Sequence, residues 1–471
     1  MIKILKNKPN PLALAILLSA FNCFAQASKK GPWAPYFEPI LLGKGLKAGT
    51  YGIEVLELNS GKLLFTDGSD IPLNPASSIK VLIAAAALSE LGPNFRFQTF
   101  VSQSQSDICL IGHGDPSLVN ETLWMLVEEA KRKGVQKIKG DLILDETFFP
   151  ASRNHLTDFF QDEERAFTAP TSALSVNFNS LTIYIEPSTI GNPPKVMLDP
   201  ELALFEIKNV AKTEKAKSIK NIQVSVEPKG DHFRVVVRGK INVNEERLTF
   251  YRAVPNPPLY TGYLFVEHFR RAGGVFLGKI RKNECPKDAT ILVKFRSKPL
   301  SQVIFDLNKF SNNFIAEMLV QALSANIAFK KNGLDLMKDW LLKSGIQAPE
   351  LIIENGSGLS RKTRVSARTL ALIVKSAATN FMIAPEYLAS FGIGGIDGTL
   401  RRRFSNLGTE PRVRAKSGSL KAVVSLTGVA DTPSHGQVVF SFIFNSPSHD
   451  NYSLQKLEER LIEQMMSPEI H

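Results

Sequence analysis

Residues 74–88 read NPASSIKVLIAAAAL. Asn74 and Pro75 stop the preceding chain and launch a helix, because proline is tolerated at a helix start and not in its interior. From Ile79 onward the helix is apolar on nearly every face, which predicts the central helix of a domain. Gly92-Pro93 ends it. One charged residue interrupts the opening of this run: Lys80, three positions after Ser77. Positions i and i+3 share a helix face, so the serine hydroxyl sits beside the lysine amine. The helix start also offers unpaired N–H groups that favour developing negative charge. A lysine flanked by Ile79, Val81, Leu82 and alanines is partly desolvated, which lowers its pKa. A neutral amine takes a serine proton, so Ser77 reads as a nucleophile and Lys80 as its general base. The plainer reading is an N-capping serine with a snorkelling lysine, and this segment alone favours it. Ser78 is a second candidate nucleophile without a lysine three residues on.

Two later segments change that balance. Ser311-Asn312-Asn313 precedes FIAEMLVQAL, again polar residues at a helix start. Lys416-Ser417-Gly418-Ser419 falls on an expected edge strand, where Gly418 would let a substrate backbone approach. S-x-x-K, S-x-N and K-[ST]-G, in that order, mark penicillin-recognising serine enzymes. Two decoys exist. Ser175-Val176-Asn177 spells S-x-N inside a β-rich region, and Lys47-Ala48-Gly49-Thr50 imitates the strand motif but precedes the serine.

The 471 residues are too many for one ordinary core, so two or three domains are expected. With 44% hydrophobic and 22% charged residues the composition is that of a globular chain and not a disordered one. The first 27 residues read as a secretory signal peptide: Lys3, Lys6 and Lys8, an apolar run, then Ala25-Gln26-Ala27 as the cleavage site. The apolar run is well short of the ~20 residues a spanning helix needs. Cys23 offers a lipoprotein alternative, disfavoured by the bulky Phe21 and Asn22 before it. Export predicts a periplasmic protein. Losing three leader lysines takes the formal charge from +12 to +9. No nucleic-acid-binding pattern accompanies that charge, so nucleic acid is not an expected partner. Peripheral association with an anionic wall or membrane surface fits better. Cys109 and Cys285 remain after the leader. They could pair in an oxidising compartment, but two separate buried thiols is the preferred reading. No Cys/His cluster has metal spacing, and no metal or cofactor is expected.

The stretches NPASSIK, GHGDP, IKGDLILDETFF, SALSVNFN, VPNPPLY, SNNFIAE, ENGSGLSR, GGIDGTLRRR and AKSGS, running from about residue 45 to 445, carry a resemblance. The chain resembles the D-alanyl-D-alanine carboxypeptidase/endopeptidase family, the low-molecular-mass class C penicillin-binding proteins, or peptidase family S13. The resemblance implies an α+β transpeptidase-like catalytic domain, an antiparallel sheet flanked by helices, from residues 28–95 and 290–471. It implies a mainly β insert: one module from 96–199 and 256–289, and a small second one at 200–255. It implies a serine D,D-peptidase that cuts D-alanyl-D-alanine and cross-link bonds of peptidoglycan and is inhibited by penicillin. Stem peptides and β-lactam antibiotics are the implied partners, and the oligomeric state stays open. Carried over by position, Ser77 is acylated, Lys80 is its base, Ser311 relays a proton to the leaving amine and Asn313 holds the substrate amide. Lys416 keeps Lys80 neutral and attracts the substrate carboxylate. Ser417 and Ser419 bind that carboxylate, and the N–H groups of Ser77 and Ser419 form the oxyanion hole. Asp145 is assigned to the ammonium of a diaminopimelate side chain and Arg361 to its carboxylate. Their plain readings are a turn cap and a surface charge. Asp397 reads as a turn residue. A β-lactamase and a non-catalytic wall-binding protein are the alternatives. The first lacks a glutamate motif for rapid deacylation, and the second would not need Ser77, Lys80 and Lys416.

Overall fold

The computed structural model describes residues 30–149, 165–215, 221–327, 331–404, 412–467 and 469–470. The leader expected at residues 1–27 lies outside them. Tyr51–Glu57 (β1) and Leu63–Asp67 (β2) form the antiparallel hairpin that the Asn59-Ser60-Gly61 turn predicts. They join Gly392–Ile393 (β3), Val413–Leu420 (β4), Val423–Thr432 (β5) and Gly436–Asn445 (β6) in a sheet of order β3-β4-β5-β6-β1-β2. Every neighbouring pair in it is antiparallel.

Alternation along β6 shows how this sheet is covered. Val438, Phe440, Phe442 and Phe444 face a core with Trp33 and Phe37 and with Leu454, Leu457 and Leu461 of the last helix. Val439 and Ile443 face the opposite core, as a period of two requires. That second core is built on three helices: Lys80–Leu91 (α1), Asn313–Ile327 (α2) and Ala367–Thr379 (α3). Every residue of α1 from Lys80 to Leu88 is buried. Its large aliphatic side chains each contribute about 1.5–3 kcal/mol on burial, which outweighs placing one lysine among them. The central-helix expectation holds.

The insert has its own core. Its five-stranded sheet runs in the order Ile280–Lys282, Leu142–Asp145, Asp107–Gly112, Gln98–Ser104, Thr290–Arg296. The last strand pairs with Gln98–Ser104. The catalytic segment expected to begin at residue 290 therefore begins after that strand, because its hydrogen bonds belong to the insert. The small module expected at 200–255 is also smaller. Leu248–Ala253 pairs with Ser180–Glu186, leaving Phe205–Asn209, Gln223–Lys229 and His232–Arg238 as a separate three-stranded sheet. Cys109 and Cys285 form a disulfide with Cα atoms 5.9 Å apart. This corrects the reading of two separate thiols: the parallel pairing of the Leu142–Asp145 strand with both neighbours brings the two cysteine-bearing segments together. Closing so long a loop is worth about 2–5 kcal/mol.

Candidate active site

The turn before α1 is held on all sides. Ala76–Ile79 is a 3₁₀ turn and Ala76 sits at φ 47°, a left-handed conformation that costs a non-glycine residue energy. Hydrogen bonds hold it there. Asn74 Oδ1 accepts from Ala76 N at 2.9 Å, and Asn74 Nδ2 donates to Ser360 O at 2.9 Å. Asn445 accepts from Asn74 N at 2.8 Å and donates to Asn74 O at 2.9 Å. Ser78 is fully buried, and its hydroxyl joins Lys416 O and Ser425 Oγ at 3.2 and 2.8 Å. It fastens the turn to β4 and β5 and is not placed as a nucleophile.

Ser77 is half-buried, and Lys80 Nζ donates to its Oγ at 2.9 Å. The same amine donates to Asn313 Oδ1 at 2.8 Å and to the carbonyl of Ser357. The Ser77 hydroxyl also lies 3.4 Å from that carbonyl. Burial, with the Lys416 charge beside it, holds the Lys80 amine well below the usual lysine range, while Glu317 opposes that shift. Lys416 lies on the other side. Its Nζ donates to Ser311 Oγ at 2.9 Å and to Ser417 O at 2.6 Å, and burial pushes its pKa down to about 7. Ser311 has φ 54°, a second left-handed non-glycine residue at the site. Two buried amines thus reach two hydroxyls on opposite walls, Lys80 to Ser77 and Lys416 to Ser311.

The β4 motif differs from expectation in two respects. β4 is not the edge strand, since β3 pairs with it at Ala415 and Arg414. β3 is only two residues long, so residues 416–420 lie beyond its pairing. Gly418 is required by the protein itself: a Cβ there would meet Ser425 Oγ at 2.4 Å, Pro75 O at 2.6 Å and Ser77 N at 3.0 Å. The missing side chain lets β4 lie against the Ser77 turn, which corrects the expectation that it admits substrate. Ser417 Oγ donates to Thr399 Oγ1 at 2.7 Å, and Ser419 Oγ accepts from Asn451 Nδ2 at 2.9 Å. The insert reaches the same site, where Asn313 Nδ2 donates to Phe167 O at 3.3 Å.

Asp145 and Arg361 are not hydrogen-bonded to this cluster. Asp145 is buried. Its Oδ1 accepts from Thr147 N and Oγ1 at 2.9 and 2.7 Å, and its Oδ2 from Cys285 N at 2.9 Å. Its geometry is that of a turn cap. Arg361 is exposed and donates to Lys421 O at 2.8 Å. Asp397 pairs at 2.6 Å with Lys309, which is almost fully buried, and accepts from Ile393 N at 2.8 Å, so it holds its turn as expected. Of the decoys, Asn177 accepts from Asn120 N at 2.8 Å inside the insert. Among the described residues no group of His, Cys, Asp or Glu could hold a metal ion, and no helix is long and apolar enough to cross a membrane. The sequence reading missed the Ser357 carbonyl and Glu317, which lies within SNNFIAE but had no role there.

The burial of Lys416 has a stability consequence. Its pKa is about 7 in the fold and about 10.4 in an unfolded chain. Between those values the unfolded state binds more protons, so stability rises with pH, while below about 7 the full cost is present. Lys416→Met is expected to raise Tm at pH 7 by several degrees, to flatten the rise in Tm between pH 7 and 10, and to impair acylation. Thermal melts across that pH range check it.

Comparisons with known proteins bear on the family and the fold. The model of the D-Ala-D-Ala carboxypeptidase 3 (S13) family matches residues 38–465. The chain is 30% identical to a D-alanyl-D-alanine carboxypeptidase of Actinomadura sp. (strain R39), over 93% of this chain and 86% of that protein. It is 29% identical to the D-alanyl-D-alanine carboxypeptidase DacB of Haemophilus influenzae, over 84% of each. The crystal structure of penicillin binding protein 4 from Haemophilus influenzae matches with a TM-score of 0.79 and 25% identity, over 90% of this chain and 98% of that one. The likeness bears out the α+β transpeptidase-like fold.

Proposed function

We propose that this chain, which belongs to the D-Ala-D-Ala carboxypeptidase 3 (S13) family and is a serine D,D-peptidase acting on peptidoglycan, works through an acyl-enzyme on Ser77 with Lys80 as general base. The observation that carries this reading is the Lys80 amine, buried and held low, bonded at once to Ser77 Oγ and Asn313 Oδ1. In the proposed reaction Ser77 Oγ attacks the carbonyl of the penultimate D-alanine and Lys80 accepts its proton. The N–H groups of Ser77 and Ser419 hold the oxyanion. The C–N bond then breaks. The leaving amine, of terminal D-alanine or of a cross-linking side chain, takes a proton by way of Ser311. Water cleaves the ester and returns Ser77. Asn313 holds the substrate amide, and Lys416, Ser417 and Ser419 hold the terminal carboxylate, with Ser417 exchanging its Thr399 bond for one to substrate.

Benzylpenicillin enters the same path. Opening its lactam acylates Ser77, but the amine stays tethered in the acyl group, so the ester hydrolyses slowly. Trapping that ester and mapping the residue that carries it tests the reading. The finer substrate choice is proposed from the family resemblance: Asp145 and Arg361 read the ammonium and carboxylate of diaminopimelate. The proposed place of action is the periplasm after cleavage near Ala27, with peripheral contact to wall or membrane supported only by the basic charge.

A further inference from the structure

Glu317 lies four residues after Asn313 on α2, so the two side chains share one face of the helix. It is 7% exposed, and a carboxylate so buried needs partners. Both its oxygens are used. Oε1 accepts from Ser357 N at 2.7 Å and Oε2 from Gly356 N at 3.2 Å. The carbonyl of Ser357 faces the other way and accepts from Lys80 Nζ. One residue thus gives its N–H to Glu317 and its C=O to the lysine. Gly356 permits this approach, since a Cβ there would meet Val320 Cγ2 at 2.7 Å and Ala316 O at 3.0 Å.

We propose that Glu317 is a positioning residue for acyl transfer: its carboxylate clamps the Gly356 and Ser357 N–H groups so that the Ser357 carbonyl aims Lys80 at Ser77, and it supplies the counter-charge when Lys80 becomes an ammonium. The proposal rests on the reading of Ser77 and Lys80 above. The groups facing Lys80 are Ser77 from its own turn, Asn313 and Glu317 from α2, Ser357 from the loop and Lys416 from β4. Glu317 is the acid among them. Burial and Lys416 favour the neutral amine, and Glu317 favours the charged one; burial also raises the Glu317 carboxyl, which the bonds from Ser357 and Gly356 and the Lys80 charge oppose. The proton that leaves Ser77 therefore arrives on an amine whose cationic form, among the described residues, Glu317 stabilises by charge.

The test is the rate of Ser77 acylation by benzylpenicillin against pH in wild type, Glu317→Gln and Glu317→Asp. Gln keeps an acceptor for Ser357 N and removes the charge. The plateau should fall about tenfold or more. The acid limb should move to lower pH by about one unit, because the Lys80 ammonium loses its counter-charge. Asp keeps the charge but reaches less far, so its plateau should fall while the limb stays. A wild-type plateau in Glu317→Gln overturns the proposal. So does a lowered plateau with an unmoved limb, which loss of packing alone would give. If Glu317→Gln does not fold, Glu317→Asp acylating at the wild-type rate overturns it. Wild-type protein that gives no Ser77 ester overturns the Ser77 reading itself, whereas wild type acylated at Ser77 beside an unaffected Glu317→Gln overturns only the role of Glu317.

Discussion

Lys80→Ala is expected to lose acylation by benzylpenicillin by about 10²–10⁴-fold or more at neutral pH, with the fold intact. In the proposed reaction the amine takes the proton from Ser77 Oγ, which lies 2.9 Å away, and the only other amine described at the site, Lys416, is bonded to Ser311 and Ser417. The fold should survive because the wild-type lysine is itself costly where it stands: fully buried, with burial lowering its pKa. Removing it relieves that cost and leaves a small cavity, and these effects oppose each other. In wild type the rate should fall on the acid side as the Lys80 amine takes up a proton, since only the neutral form is a base. Circular dichroism and thermal melts establish folding, and stopped-flow or mass-resolved acylation gives the rate. Near-normal acylation by folded Lys80→Ala would remove Lys80 as the base.

Asp145→Ala and Arg361→Ala should cut turnover of diaminopimelate-containing pentapeptides much more than acylation by benzylpenicillin. In the proposed site penicillin offers the D-alanyl-D-alanine mimic to Ser77, Asn313 and Ser417 but has no ammonium–carboxylate terminus for the other two residues. Losing a buried charge-assisted contact to a ligand costs ~2–5 kcal/mol, a factor of ~30 to several thousand. Arg361 is exposed, so its effect belongs at the lower end. Asp145 already accepts bonds from Thr147 and Cys285, so its loss also disturbs a turn. The ratio of the two rates separates these effects. If kcat/KM for the peptide and the penicillin rate fall together, the residues support the fold. If neither falls, the side chain is not read there.

The Ser77–Lys80 contact was legible because a helix places i and i+3 together whatever the rest of the chain does. Ser77, Ser311 and Lys416 were legible as one ordered motif, but the hydrogen bond from Lys416 to Ser311, 105 residues away, was not read from it. The Ser357 contribution was hidden because it is a backbone carbonyl, which carries no side-chain signature. Glu317 was hidden in an apolar helix, where its burial depends on a loop some forty residues on. Gly418 was marked as the place where a substrate backbone approaches, whereas its close neighbour in the structure is the turn of Pro75 and Ser77. The Cys109–Cys285 pair was misread because two cysteines 176 residues apart give no framework pattern. The boundary at 290 failed for the same physical reason: Thr290–Arg296 is held by a strand almost two hundred residues earlier, and no local pattern records that.

The most direct measurement is the identity of the residue that benzylpenicillin acylates. Intact-protein mass should rise by one penicillin, persist over minutes to hours, and map by peptide digestion to Ser77, with no adduct in Ser77→Ala. An ester on Ser78, or wild-type protein that binds penicillin with no covalent adduct, would contradict the account.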